Sequence, residues 1–518
     1  MSAFPLLTVL TLVPLAGGLM LLGVSPRNRR LARGLALVFS LVGLALAAGL
    51  WTRFDTSVAE LQFVERHPWI PTLGIDYFVG VDGLGMLMVL LTALVVPVAI
   101  VVSWKIEEKV PLYFALMLWL QSGLFGTFTA LNFFHWFLFW ELSLVPAFFL
   151  VKLWGGTDRG PAATQFFIYT MLGSVTMLLS FLAIYLATGT FDFIKLAELG
   201  RTGQLASALS AKLGWYNLTA HQLSVVIFSG VLLGFAVKVP LMPFHTWLPV
   251  TYAEAPTGTT MLLTGVMSKM GVYGLLRILL PLFPQQMRMV LTPLLWLAVI
   301  TIVFSASAAL AQKDLKRVFA YSSINHLGYC LLGVFAVAKL TGNDPRWSTE
   351  KAAALNGVLV QMFNHGLTAS TLFCFVGFLE HRAGGRRGLE DFGGLRKVAP
   401  VFCGLMGIAL FASLGLPGLN GFVGEFLIFK GAFALTTWAA VLAVIGLLVT
   451  AIFMLGILQR VFSGPLNGQW TGFADLTTGE RLTVLPATLL MFAVGLYPQW
   501  ILGVTNPTVQ QWVAQLKF

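Results

Sequence analysis

Long apolar runs fill this chain, and short polar or charged segments separate them. A helix that crosses a membrane needs about 20 mostly apolar residues. Runs of this length predict about 14 such helices, at residues 4–24, 31–51, 80–103, 111–130, 132–152, 163–187, 222–247, 254–280, 288–311, 318–338, 352–379, 400–431, 433–460 and 482–504. The pattern therefore predicts an all-α integral membrane protein, in which the first apolar run is a span and not a cleaved leader.

Two of the predicted spans are interrupted. Helix seven contains Pro240 and Pro243, which remove backbone donors within the span, and helix twelve contains the segment Gly415-Leu-Pro-Gly-Leu-Asn-Gly421. Irregular backbone at membrane depth is tolerated where protein or a water-filled cavity satisfies it. Matched interruptions in two halves of a chain are typical of inverted repeats. We expect helices 4–8 and 9–13 to be two inverted five-helix repeats, with helices seven and twelve broken.

The predicted organisation is a single polytopic membrane domain over residues 1–518. Its parts are three N-terminal helices (1–110), a first repeat (111–280), a second repeat (288–460) and a last helix (482–504). The long polar connections 52–79 and 189–221 are expected to lie on the same face of the membrane.

Composition narrows the class of protein. Of 518 residues, 58% are apolar and 10% are charged, which excludes a soluble globular protein. The net charge of +11 comes from Lys and Arg scattered through short loops, a pattern of membrane topology and not of nucleic-acid binding. Counting these residues by loop places both termini outside. Three cysteines, all in apolar runs, exclude a Cys-rich metal cluster.

Four ionisable side chains lie inside predicted spans, and these are Glu141, Lys238, Lys269 and Glu425. Each costs roughly 2.5–3.5 kcal/mol on insertion scales, so such residues are rare and usually functional. Burial penalises the charged form of either residue type, and an alternating row of acids and bases can therefore relay protons. The alternative is that Glu141 and Lys238 form a static ion pair that joins two helices.

Histidines extend this row, because imidazole exchanges protons near neutral pH. His326 and His365 fall inside helices ten and eleven, between Lys269 and Glu425 in helix order, and we expect them to belong to the relay. His245 follows the break in helix seven and is interpreted as a packing residue.

Familiar cofactor motifs are missing from the sequence. It contains no Gly-Lys dipeptide for a phosphate-binding loop, no G-x-G-x-x-G fingerprint and no H-E-x-x-H metal motif. We expect no cofactor and no metal in this chain, so that the energy for transport comes from a partner subunit or an ion gradient.

Several segments resemble the antiporter-like subunit M (chain 4) family of proton-pumping NADH:quinone oxidoreductase, respiratory complex I. They are FFHWFLFWELSLVPAFFLVKLWGG, GFAVKVPLMPFHTWLP, EAPTGTTMLLTGVMSKMGVYGLLRI, QKDLKRVFAYSSINHLGY, QMFNHGL and GLPGLNGFVGEFLI. The resemblance implies that Glu141 and Lys238 form a gating ion pair and that Lys269 is the central relay lysine. It further implies that Glu425 loads the terminal proton, with His326 and His365 between it and Lys269.

The resemblance also implies the surroundings of the chain. FMN, iron–sulfur clusters and quinone are expected in partner subunits, and no redox centre is expected in this one. The expected partners are sister antiporter-like subunits of types L and N, a peripheral redox arm and the lipid bilayer. The expected location is a bacterial inner membrane or a thylakoid membrane, with both termini on the periplasmic or lumenal side.

Two positions qualify the resemblance. The sister subunits usually have lysine in place of Glu425, which favours type M. After His-Thr-Trp-Leu-Pro the family typically reads Asp-Ala-His, whereas this chain reads Val250-Thr251-Tyr252. This departure concerns the connection between helices seven and eight.

Two other functions use the same kind of module. One is a subunit of a multi-subunit cation/proton antiporter, and the other is a subunit of a membrane-bound hydrogenase complex. The electron donor of an oxidoreductase could be NADH or ferredoxin. The chains that copurify with this one separate these alternatives.

Overall fold

Helices make up most of this protein, as the sequence predicts. The computed structural model describes residues 4–214, 217–339, 341 and 345–516. In chain order the helices are α1 (Leu6–Leu22), α2 (Arg29–Arg53), α3 (Gly83–Val102), α4 (Val110–Thr129), α5 (Phe133–Trp154), α6 (Arg159–Thr188), α7 (Phe193–Arg201), α8 (Gln204–Leu213), α9 (Ala220–Lys238), α10 (Trp247–Glu254), α11 (Thr257–Leu282), α12 (Pro284–Met289), α13 (Leu291–Ala311), α14 (Leu315–Ala336), α15 (Pro345–Arg382), α16 (Pro400–Ser413), α17 (Asn420–Leu435), α18 (Thr437–Phe462), α19 (Thr478–Leu496) and α20 (Gln499–Gln515). The strands are β1 (Gln62–Ile70) and β2 (Ile75–Val81).

The membrane character of the fold is confirmed. Within the described ranges, 12 helices are long and apolar enough to cross a membrane, and α1 and α16 are shorter apolar helices. Their apolar side chains are exposed on the outer surface of the bundle, which suits contact with lipid. The count of fourteen spans remains a prediction.

Both predicted breaks are present. The first separates α9 from α10, and within it the Met242 amide donates to the Thr301 hydroxyl at 3.0 Å. The second separates α16 from α17, where the Asn364 side chain donates to the Asn420 carbonyl. Neighbouring helices thus bind polar backbone groups at the breaks, as irregular backbone in a membrane requires.

The long connections contain structure that the sequence analysis does not predict. In 52–79, β1 pairs antiparallel with β2, and the Glu65 carboxylate accepts from the Leu7 amide at 2.8 Å, at the start of α1. This contact fixes the hairpin to the N-terminal end of a helix, where a negative charge is favourable. The connection 189–221 contains α7 and α8, and its residues 215–216 lie outside the described part of the chain.

The predicted last span, 482–504, is wrong at its end. Helix α19 ends at Leu496, and α20 begins at Gln499 as a separate helix. Pro498 caps α20. Since proline cannot donate a backbone hydrogen bond, it marks the boundary that the hydropathy of the segment conceals.

Three helices form the centre of the bundle, and they are α11, α14 and α15. Nearly all of their membrane-spanning residues are buried by other helices. Helix α11 is interrupted by a π-helical turn at Leu263–Met267, in which the Ser268 amide donates to the Leu263 carbonyl at 3.0 Å. A turn of this kind often lies at a functional site, and here it directly precedes Lys269.

Candidate functional site

Lys269 lies at the middle of α11 and is fully buried. Its Nζ is 2.5 Å from the Thr264 carbonyl oxygen, 2.7 Å from His365 Nδ1 and 3.4 Å from the Ser268 hydroxyl. An ammonium group has three donors, and this site offers three acceptors. The π-helical turn brings the Thr264 carbonyl towards the amine, because the side chain of Lys269 reaches back along its own helix. The site can therefore hold a charged lysine in the core of the protein.

His326 and Glu425 form a second pair. The Nδ1 atom of His326 is 3.0 Å from Glu425 Oε1, and its Nε2 atom is 3.1 Å from the Ser413 hydroxyl. Because a carboxylate only accepts, the neutral ring donates from Nδ1 to Glu425 and accepts at Nε2 from Ser413. Gln361 also donates to Glu425 Oε1, at 3.3 Å. The carboxylate is thus bound by two neighbouring helices.

The two histidines join these pairs into one row. The ring centroids of His365 and His326 are 5.2 Å apart, with an angle of 34° between the ring planes. The four groups lie in the order Lys269, His365, His326 and Glu425, on helices α11, α15, α14 and α17. The structure therefore brings together the four residues that the sequence analysis places in the second half of the relay.

Gly415 in the second break and Gly424 in α17 allow the close packing around Glu425. A Cβ atom at Gly415 would lie 2.6 Å from Glu425 Oε2, and one at Gly424 would lie 2.5 Å from Gln361 Oε1. Gly415 also has a φ of +80°, a conformation that L residues with side chains rarely adopt. The break is thus shaped around the carboxylate.

Glu141 and Lys238 are not in contact, although the sequence analysis expects an ion pair. Among the described residues, neither Glu141 Oε1 nor Lys238 Nζ has a hydrogen-bond partner, and both atoms are buried. The Lys238 amine lies 4.9 Å from the centroid of the Trp140 ring, and Trp140 Nε1 donates to the Ser174 hydroxyl. Lys238 is the last residue of α9, directly before the first break.

His245 lies within the first break and away from the row. Its ring packs edge-on against Phe304 of α13, with centroids 5.8 Å apart. This position agrees with the interpretation of His245 as a packing residue.

The structure also buries charges that the sequence analysis does not single out. Arg277 of α11 and Asp82 form an ion pair at 2.5 Å, and Lys316 and Glu380 form another at 2.9 Å. The apolar run around Arg277 is a signal that could have identified it. Lys316 is treated as a loop residue because its neighbours are charged, yet its side chain is buried.

Metal binding has no support in the described residues, where no three His, Cys, Asp or Glu side chains are grouped to hold an ion. The cysteines Cys330, Cys374 and Cys403 are free thiols. The amine, imidazole and carboxylate groups of the row can exchange protons and form hydrogen bonds.

A family profile and two similar proteins point to the same family, and the similar proteins align with nearly the whole chain. A profile of the family described as "NADH:quinone oxidoreductase/Mrp antiporter, TM" matches residues 130–450. NADH-quinone oxidoreductase subunit M of Rhodobacter capsulatus is 36% identical over 97% of this chain and 95% of the relative. F(420)H(2) dehydrogenase subunit M of Methanosarcina mazei is 37% identical over 96% of each chain.

Solved structures show the same relationship. A chain of respiratory complex I from Thermus thermophilus with bound NADH superposes with a TM-score of 0.83 at 28% identity, covering 98% of this chain and 99% of that chain. A chain of the Mrp complex from Dietzia sp. DQ12-45-1b has a TM-score of 0.83 at 20% identity, covering 99% of this chain and 100% of that chain. At 20% identity, the likeness to the chain of the Mrp complex shows a shared fold.

Proposed function

Because the chain belongs to the family of NADH:quinone oxidoreductase and Mrp antiporter membrane subunits and is of the subunit M type, we propose that it carries protons across the membrane through its buried row. Redox chemistry in partner subunits of an NADH:quinone oxidoreductase drives this transport. The observation that supports the proposal is the pair of close contacts within the row, with the two histidine rings adjacent between them. Lys269 contacts His365, and His326 contacts Glu425, inside a membrane protein.

Each member of the row can both take up and release a proton. Protonated Lys269 donates to His365 Nδ1, and transfer along this contact leaves a neutral amine and a protonated imidazole. The proton then passes to His326 and on to Glu425, which releases it near the second break. Every step moves one proton between groups that return to their starting state.

Glu141 and Lys238 act as the switch of this mechanism. When the two side chains approach, each stabilises the charged form of the other, and the field at the row changes. When they move apart, each charge loses part of that stabilisation. The cycle of contact and separation alternates between loading Lys269 and releasing its proton.

The proposal also includes the topology of the chain and its neighbours in the complex. The chain has fourteen spans, with inverted repeats at 111–280 and 288–460, and both termini lie on the outer side of a bacterial inner or thylakoid membrane. Its neighbours are sister subunits of types L and N, and a peripheral arm that carries FMN and iron–sulfur clusters reduces quinone.

The test uses Lys269→Met beside Lys269→Arg in the assembled complex, reconstituted in vesicles. Quinone reduction and the pH gradient are measured together. Methionine should abolish the protons that this subunit contributes, and arginine should do nearly the same because its guanidinium does not deprotonate. If Lys269→Arg pumps as well as the parent complex, Lys269 is a fixed charge and the relay is wrong.

Copurifying chains test the assembly. Flavin and iron–sulfur subunits in the mass spectrum support the oxidoreductase. Nickel-site subunits would assign the chain to a hydrogenase, and small hydrophobic chains alone would assign it to a cation/proton antiporter.

A further inference from the structure

A groove opens on the outer surface of the bundle between the C-terminal ends of α13 and α18. It has a volume of about 350 Å³, and its lining residues include Ala309, Leu310, Ile452, Leu455, Gly456 and Arg460. The side chains of Leu310, Ile452 and Leu455 are largely exposed, so the groove is accessible from outside the bundle. In a membrane protein, an apolar surface of this kind faces the acyl chains of lipids.

The groove exists because the two helices move apart towards their C-terminal ends. Near their N-terminal ends the rings of Trp296 and Trp438 lie 4.8 Å apart. Further along, the helices pack so closely that a Cβ atom at Gly446 would overlap the side chain of Ile302. At Gly456, in contrast, a Cβ atom would meet nothing within 4 Å. The groove therefore has open space along its α18 wall.

One end of the groove is polar. Gln459 and Arg460 both line it, both are exposed, and both belong to the π-helical turn that ends α18. Arg387, at the same end of the helix bundle, is bound by the Asp314 carboxylate. Among the described residues, Arg460 has no carboxylate partner of this kind. A guanidinium group beside an apolar groove is complementary to a phosphate that is attached to an acyl chain.

A second groove on the outer surface lacks this combination. It lies between α6 and α9 and has a volume of about 490 Å³. The described residues that line it, such as Leu179, Ser180, Val226 and Gly230, are all uncharged. This groove offers an acyl chain the same kind of apolar contact but offers a phosphate no cation. The comparison makes Arg460 the feature that selects a headgroup.

We propose that the groove between α13 and α18 binds an anionic phospholipid. One acyl chain lies against Leu310, Ile452 and Gly456, and the phosphate accepts hydrogen bonds from the Arg460 guanidinium and the Gln459 amide. Arginine binds phosphate through two parallel N–H donors. A free phosphate ion would leave the apolar wall without contact, whereas a lipid covers both parts of the site. In the topology proposed above this end faces the cytoplasm, where basic pockets between helices bind anionic headgroups.

Photolabelling of the assembled complex tests the headgroup. The complex is reconstituted in vesicles with phosphatidylglycerol or phosphatidylcholine that carries a photoreactive group in its acyl chain, and mass spectrometry locates the labelled residues. Phosphatidylglycerol should label Leu310 and Ile452 about fivefold more strongly, the scale of one basic residue near an anionic surface. Arg460→Gln should reduce this labelling to the level of phosphatidylcholine. Arg460→Lys should retain part of the preference, because an ammonium is a point charge without the planar fork.

A second variant tests the apolar part of the site without changing any charge. Gly456→Leu places a side chain in the open space of the groove, so labelling of Leu310 and Ile452 by both lipids should be lost. The control is Gly404→Leu in α16, at a glycine outside the groove where a Cβ atom also meets nothing within 4 Å. This control should be labelled like the parent complex.

Two results would overturn the proposal. Equal labelling by the two lipids that Arg460→Gln leaves unchanged would show that bulk lipid fills the groove and that Arg460 selects no headgroup. Absence of labelling by either lipid in the parent complex would show that another subunit covers the groove. Neither result bears on the proton row, because the lipid site shares no residue with it.

Discussion

The row from Lys269 to Glu425 and the pair Glu141–Lys238 are built from the same residue types but differ in their contacts. In the row, charged and histidine side chains lie within 3.0 Å of a neighbour. In the pair, Glu141 Oε1 and Lys238 Nζ have no hydrogen-bond partner in the described residues. Proton transfer needs continuous contacts, whereas a switch needs a distance that can change. An approach to 4 Å is worth about 4 kcal/mol at an effective dielectric of about 20. In the proposed mechanism, the row conducts the proton and the pair controls its passage.

The largest effect is expected at the end of the row. Glu425→Ala removes the acceptor of the His326 Nδ1 proton, so the row has no outlet and pumping by this subunit should be abolished. Glu425→Lys, the residue of the sister subunits, should retain part of the pumping because an amine also carries protons. Reconstituted vesicles with a pH-sensitive dye measure both variants. Parent-level pumping by Glu425→Ala would make Glu425 a packing residue.

A variant of His365 tests whether a hydrogen-bond acceptor for Lys269 is enough for pumping, or whether the residue at this position must carry a proton. His365→Gln keeps an acceptor for Lys269 but cannot carry a proton, so the rate of pumping should fall by about tenfold or more. The matched control is His245→Gln, at a histidine that packs against Phe304 outside the row. Equal pumping by the two variants would contradict the distinction between the row and its surroundings.

A smaller effect is expected at the switch. Glu141→Gln leaves the Lys238 ammonium without a compensating charge, so pumping coupled to quinone reduction should fall several-fold while the complex still assembles. The single variant Lys238→Met and the double variant Glu141→Gln/Lys238→Met complete a double-mutant cycle. If the losses simply add, the two residues are not coupled, and the proposed switch is wrong.

Much of this comparison could be predicted from the sequence. The six candidate residues stand out because charge and imidazole are rare in apolar runs, and the breaks stand out because of proline and glycine. The separation of Glu141 from Lys238 could not be predicted, since helix order does not give the distance between side chains. The close approach of the His326 and His365 rings likewise depends on how α14 and α15 pack.

The hairpin and the additional buried charges also escaped prediction. The strands lie between two predicted spans, and β1 contains Glu65, Arg66 and His67 in succession, so its sequence has no clear hydrophobic alternation. Asp82 caps α3 and lies beside an apolar run, where an N-terminal cap is an ordinary interpretation. Only its contact with Arg277 shows that it neutralises a buried charge.

The smallest expected effect concerns the packing of the second break. Gly415→Ala places a methyl group against the Glu425 carboxylate and strains the backbone, which should cost about 1–3 kcal/mol of stability. Gly404→Ala in α16 is the control, because a Cβ there meets nothing within 4 Å and should stabilise the helix by roughly 0.5–1 kcal/mol. Thermal denaturation of the purified complex measures both. Equal midpoints would show that the break has room to relax.

The π-helical turn at Leu263–Met267 has a consequence for the register of α11. Such a turn is equivalent to one residue inserted into an ordinary helix. Deleting one residue from it would restore α-helical geometry and rotate everything on one side by about 100° relative to the other. Lys269 lies after the turn and contacts His365, whereas Thr257–Leu262 lies before it, so the two parts of α11 could not both keep their present contacts. The length of this turn, counted in single residues, therefore sets the angle between Lys269 and the first part of its own helix, Thr257–Leu262.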